Sequence, residues 1–127
     1  MYAKTVEELV IYQISLELAK EINKIIKQFP HYWSVTECKQ ILRSSSSTPS
    51  NIEEGFAQRF YPKKFLLYLN NALGSSDESK GHIRKFRNNE HIKSKIADEY
   101  IKRYKNLSIK ILNLINHLKK RHNITLK

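Results

Sequence analysis

An all-α fold, an antiparallel up-down-up-down four-helix bundle, is predicted by three observations. Apolar side chains recur every three or four residues through four segments. None of these segments shows the strict apolar/polar alternation of a strand. Short breaks at Phe29-Pro30-His31, Phe60-Tyr61-Pro62 and Arg87-Asn88-Asn89-Glu90 separate them. Short connections set consecutive helices side by side and antiparallel. The 127 residues suit one domain, with helices over about 5–28, 33–59, 63–87 and 91–120 and a tail at 121–127.

In the first segment Ile11, Ile14, Leu18, Ile22, Ile25 and Phe29 form one stripe. Thr5 reads as its N-cap, with Glu7 and Glu8 in a first turn that favours negative charge. The second segment carries Cys38, Leu42, Ser45, Pro49, Ile52 and Phe56 at the same spacing. Its run of serines around Pro49 would read as a loop on propensity alone. Because the spacing continues on both sides, one helix kinked at Pro49 is expected, the proline removing a donor and clashing with the Ser45 carbonyl. The serines can bond carbonyls left open and admit a neighbouring helix closely.

The third helix starts after Pro62 and presents Phe65, Leu69, Ala72, Ser76, Ser79, Ile83 and Phe86, large at the ends and small in the middle. Its waist should face the serines of helix two, where larger side chains would overpack. The fourth carries Ala97, Tyr100, Tyr104, Leu107, Ile111, Leu114 and Leu118. Further apolar residues, among them Val10, Tyr12, Leu16, Leu66, Leu67, Ile101 and Ile115, widen the stripes beyond one seam and point to self-association.

The net charge of +11 is unevenly placed. Residues 1–60 hold seven basic and seven acidic side chains, whereas residues 61–127 hold sixteen and five and so carry the whole excess. A basic face of this kind attracts polyanions by releasing their condensed counterions. Its candidate phosphate contacts are Lys80, Arg84, Lys85 and Arg87 on helix three and Lys102, Arg103 and Lys105 on helix four. The dipole of a helix C-terminus accounts for Arg84 to Arg87 and Lys119 to Arg121 but not for Lys102 to Lys110. Tyr61, Tyr68, Tyr100 and Tyr104 could stack bases where exposed, the last two lying on the core stripe.

Other chemistries find little footing. Cys38 is the single cysteine, which excludes an internal disulfide and fits a reducing compartment. No run approaches the length of a membrane span, and Glu7, Glu8 and Glu17 occupy the stretch where a signal peptide would be uncharged, so a soluble cytoplasmic protein without a membrane partner is expected. The Glu-x-x-His of di-iron bundles is missing; Glu78 and His82 stand four apart, two ligands where a metal wants at least three, and read as an exposed pair. Neither a nucleophile with a positioned base nor a phosphate-binding glycine loop occurs, so no catalytic residue, no metal and no cofactor is expected.

Ser50-Asn51-Ile52-Glu53-Glu54-Gly55, preceded by Arg43 and the serines through Pro49, resembles the S-x-P-S-N-I-A-E-G signature of the 23S rRNA intervening-sequence protein family, also called the four helix bundle protein family. Ala72-Leu73-Gly74-Ser75-Ser76-Asp77-Glu78, after Phe65 and Leu69, is similar to that family's F-x-x-x-L-x-x-A-L-G-S-x-x-E segment. Tyr12-Gln13 through Phe29-Pro30 resembles its first helix, so the likeness spans about residues 5–118. Glu53 departs from the usual alanine. The resemblance implies a bundle assembled as a ring-shaped homopentamer, encoded within intervening sequences of bacterial 23S rRNA genes. It also implies kinship with accessory proteins of diversity-generating retroelements, which bind RNA or DNA and a reverse transcriptase. Ser50, Asn51, Ile52, Glu54, Gly55, Leu73, Gly74, Ser75 and Glu78 are its signature positions and read as structural: Asn51 bonding backbone freed by Pro49, Glu54 pairing with Arg43 or Arg59, Gly55 allowing close helix approach.

A non-enzymatic homo-oligomeric bundle that binds structured RNA through helices three and four is therefore the leading expectation. A scaffold for a protein partner is the alternative.

Overall fold

The computed structural model describes residues 3–124, and its main elements are four helices, α1 Val10–Ile26, α2 Thr36–Ala57, α3 Pro62–Asn88 and α4 Ser94–His122. The first segment differs from expectation at its start, because a separate 3-10 turn, Val6–Glu8, precedes α1. Leu9 between them is extended, with φ −76° and ψ 123°. The Glu8 carboxylate accepts the backbone N–H groups of Lys4 (2.5 Å) and Thr5 (3.0 Å), which ends the turn on itself and holds that acid below the usual carboxylate range. Thr5 therefore caps the short turn rather than α1. The other helices lie within a few residues of their expected bounds, and 125–127 of the expected tail fall outside the described residues.

The antiparallel course of α2, α3 and α4 follows from cross-helix contacts. Ser44 meets Ser79 (2.8 Å), Ser47 meets Ser75 (2.9 Å), and a Cβ on Gly55 would stand 3.0 Å from that of Tyr68. Numbers rising along α2 thus fall along α3, and the two run antiparallel. Ser76 to Ser108 (2.8 Å) and Arg87 to Asp98 (2.7 Å) set the same relation between α3 and α4.

Pro49 lies buried inside a helix that continues past it. Side chains do bond nearby carbonyls, Ser44 to Ile41, Ser45 to Leu42, Thr48 to Ser44 and Asn51 to Ser47. None of these acceptors is Ser45, the carbonyl that the proline deprives of its helical donor. The serines instead serve the waist, where Ser44, Ser45, Thr48, Ser76 and Ser79 are fully buried. Asp77 extends the hydroxyl network to the surface by accepting from Ser108 at 2.7 Å. Above and below stand Ile41, Ile52, Phe65, Leu66, Leu69, Ile83, Leu107 and Ile111, all buried.

The register differs from expectation at Ile14, Ile25, Leu42 and Leu114, each half-buried beside a buried Ser15, Ile26, Ile41 or Ile115. Within α1 the buried positions Ile11, Ser15, Leu18, Ile22 and Ile26 follow 3.6 residues per turn, which leaves Ile14 and Ile25 at the edge of the stripe. Of the additional apolar residues, Leu66 and Ile115 belong to the core of the single chain, whereas Val10 and Leu67 are more than half exposed.

α3 ends on a paired reversal: the N–H of His91 reaches the Phe86 carbonyl (2.9 Å) and that of Glu90 the Arg87 carbonyl (3.0 Å), with Glu90 left-handed at φ 61°.

Candidate nucleic-acid interface

The two cross-links between α3 and α4 fix where the basic residues fall. With Ser76 opposite Ser108 and Arg87 opposite Asp98, Lys80 stands level with Lys105, and Arg84 with Ile101 and Lys102. At 100° per residue, Lys80, Arg84 and Arg87 lie on the flank of α3 nearest α4, and Lys102 and Lys105 on the outward side of α4. Five of the seven expected contacts thus share the outer face of the α3–α4 pair. Arg84, Lys102 and Lys105 are exposed. Lys80 lies 3.7 Å from Asp77, and Arg87 is held by Asp98. The face keeps its positive excess, and Arg87 also ties α3 to α4.

The other two residues are placed elsewhere. Lys85 lines a cleft of about 410 Å³ on the α2 side of α3, with Phe29, Cys38, His82, Phe86 and His91. Arg103 points toward α1 and grips Glu21, Nη1 to Oε1 at 2.8 Å and Nη2 to Oε2 at 2.6 Å. The Tyr100 hydroxyl donates to the same Oε1 at 2.9 Å. The guanidinium holds the Glu21 carboxyl down at about 2, while burial and the same carboxylate push the Tyr100 phenol up to about 12. Arg103 is therefore a tie between α1 and α4. Its partner lies 82 residues away, and no local pattern marks such a pair.

Two tyrosines expected on the core stripe are placed there or beside it. Tyr104 is fully buried, its hydroxyl has no hydrogen-bond partner among the described residues, and burial pushes its phenol up. Tyr68 packs beside Gly55, and Tyr61 is 61% exposed. Sequence reasoning passed over the neighbours of Tyr61: Phe60 is 79% exposed, the Arg59 guanidinium sits 4.6 Å from its ring centre, and the Lys64 ammonium sits 5.1 Å from that of Tyr61. Their signal was two adjacent aromatics ahead of a helix that opens with two lysines.

Of the signature positions, Gly55, Ser75 and Glu78 make contacts between α2 and α3. Gly55 is required for close approach, since a Cβ there would meet Phe65 Cδ1 at 3.1 Å as well as Tyr68. Ile52 is buried, Leu73 half-buried, Ser75 bonded to Ser47, and Gly74 exposed with open space around it. Three expected roles change. Asn51 donates to the Ser47 carbonyl and to Ser47 Oγ, both at 2.9 Å, and not to the carbonyl freed by Pro49. Glu54 is exposed, and neither expected partner turns to it: Arg43 pairs with Glu78, and Arg59 lies over Phe56 and bonds its carbonyl. Ser50 is exposed as well. Glu78 and His82 (3.2 Å) form no isolated pair, because Arg43 of α2 joins them and His82 is largely covered.

Cys38 is fully buried, and burial pushes its thiol up. Among the described residues no three His, Cys, Asp or Glu side chains gather closely enough to hold a metal, and no helix is long and apolar enough to cross a membrane.

No curated protein matches the chain. A crystal structure of a protein of unknown function from the S23 ribosomal protein family of Bacteroides thetaiotaomicron superposes with a TM-score of 0.76 at 25% identity, covering 84% of this chain and 98% of that one. The family model for the 23S rRNA-intervening sequence protein matches residues 7–114, nearly the whole bundle including both signature segments. With helix order, serine waist and the Gly55 contact all in place, the chain belongs to the 23S rRNA-intervening sequence protein family.

Proposed function

We propose that this protein is a non-enzymatic, homo-oligomeric bundle that binds structured RNA through the outer face of α3 and α4. The observation that carries the reading is the gathering of Lys80, Arg84, Lys102 and Lys105 on one face of a chain whose entire excess charge lies beyond residue 60. Such a face meets phosphates without reading sequence. Self-association is supported by Val10, Leu67, Ile109 and Leu112, each more than 40% exposed on a helix surface.

The test compares Arg84→Glu/Lys105→Glu with Lys85→Glu, which changes a charge on a different flank. Binding to a structured RNA fragment is measured across a salt series, on protein of known mass. The double variant should lose affinity and reduce the slope of log affinity against log salt by about 2, one for each lost phosphate contact. Unchanged affinity and slope would overturn the reading. The same exposed apolar residues favour a second reading, an accessory subunit whose partner is a protein such as a reverse transcriptase; a partner retained after nuclease treatment would favour that one.

A further inference from the structure

Phe60 and Tyr61 form the turn between α2 and α3, and antiparallel packing brings the end of α4 to the same end of the bundle. One surface hollow there joins Arg59, Phe60 and Pro62 to Leu118, Arg121 and His122. A second joins Tyr61, Lys63 and Lys64 to His122 and Ile124. Phe60 and Tyr61 are adjacent and both exposed, and each has a cation stationed over its ring.

The charge here is also one-sided. No Asp or Glu occurs from Gly55 to Ser76, nor from Tyr100 onwards, so the acids of this end, Glu7, Glu8, Glu53 and Glu54, all belong to the first two segments. Helix dipoles account for Lys119, Lys120 and Arg121 at the C-terminus of α4. They oppose Lys63 and Lys64, which stand in the first turn of α3 with no acid beside them. Two cations placed against the dipole make this end a stronger anion site than the fold requires.

We infer that this end of the bundle is a second nucleic-acid site, one that binds unpaired nucleotides by stacking their bases on Phe60 and Tyr61 while Lys63, Lys64 and Arg121 take the phosphates. Adjacent aromatics with interleaved cations suit a flexible single strand, whose bases are open to stacking; in a duplex those faces are already occupied. The basic face around Arg84 lies some 21 residues along α3 from Lys63, about 30 Å at 1.5 Å per residue. Each site can therefore fail without the other, and together they would hold an RNA that has both a helix and a loose end.

The experiment uses the full chain with 15-nucleotide oligouridylate and oligothymidylate containing 2-aminopurine, and a duplex RNA of the same length. Binding to the single strands should quench the 2-aminopurine. Phe60→Ala/Tyr61→Ala should abolish the quenching and weaken binding by about thirtyfold or more, the least expected for losing two stacked bases. It should leave duplex binding unchanged, whereas Arg84→Glu/Lys105→Glu should do the reverse. Tighter binding of the uridylate identifies RNA as the source of the strand, and tighter binding of the thymidylate identifies DNA. Wild-type affinity for single strands in Phe60→Ala/Tyr61→Ala would overturn the assignment. So would a fall in sedimentation mass in that variant, which would make a second copy of the chain the occupant of this surface.

Discussion

The α2–α3 contact and the α1–α4 contact close the same bundle by opposite means. Between α2 and α3 the side chains are small: Ser44, Ser47, Ser75 and Ser79 pair across the seam, and Gly55 lies against Phe65 and Tyr68. Between α1 and α4 the reach is long, and Glu21 accepts three hydrogen bonds from Tyr100 and Arg103. A seam of small residues is specific because nothing larger fits. One built on a charged cluster is specific because either charge, left alone, would be half-buried without a partner. The first should fail by overpacking, the second by loss of charge.

The largest effect is expected at the tight seam. Gly55→Leu should cost about 3 kcal/mol or prevent folding, because its Cβ would already stand 3.0 Å from Tyr68 Cβ, a backbone-proximal atom with little room to move. Urea denaturation gives the value, and wild-type stability would refute the close approach.

Glu21→Gln should cost about 1–2 kcal/mol at pH 7, a figure reduced for the partial exposure of the pair. Its carboxyl falls from an ordinary 4.5 to about 2 on folding, so the stabilisation is present above 4.5 and is lost as pH falls from there toward 2. The gap between wild type and variant should close over that window, and a gap independent of pH would remove the charge from the account.

At the small end, Gly74→Ala should raise stability by about 0.5–1 kcal/mol, since nothing lies within 4 Å of a Cβ there and alanine favours a helix. Opposite signs at Gly55 and Gly74 on thermal unfolding would show that one signature glycine is steric and the other is not.

Much of the fold was legible because helical spacing is a local property. The four segments, the serine waist and the burial of Cys38 all follow from which residues recur every three or four positions. The break at Leu9 was not legible, since it depends on the Glu8 carboxylate folding back on Lys4 and Thr5 while the apolar pattern runs on. The candidate site was legible only as composition. Spacing along α3 and α4 puts Arg84 and Lys105 near the surface, but it does not say that Arg103 turns to Glu21 and Arg87 to Asp98. Those pairings arise from how the helices are set side by side. For the same reason Glu78 looked isolated until α2 brought Arg43 beside it.

The serine waist also bears on how this protein responds to temperature. Exposing apolar surface on unfolding raises the heat capacity and exposing polar surface lowers it. Ser15, Ser44, Ser45, Thr48, Ser76, Ser79 and Ser108 are buried where a leucine-lined bundle would hold hydrocarbon. Unfolding therefore releases less apolar surface per residue, and the curve of stability against temperature should be shallower than that of a leucine-lined bundle of equal length, with cold denaturation correspondingly remote.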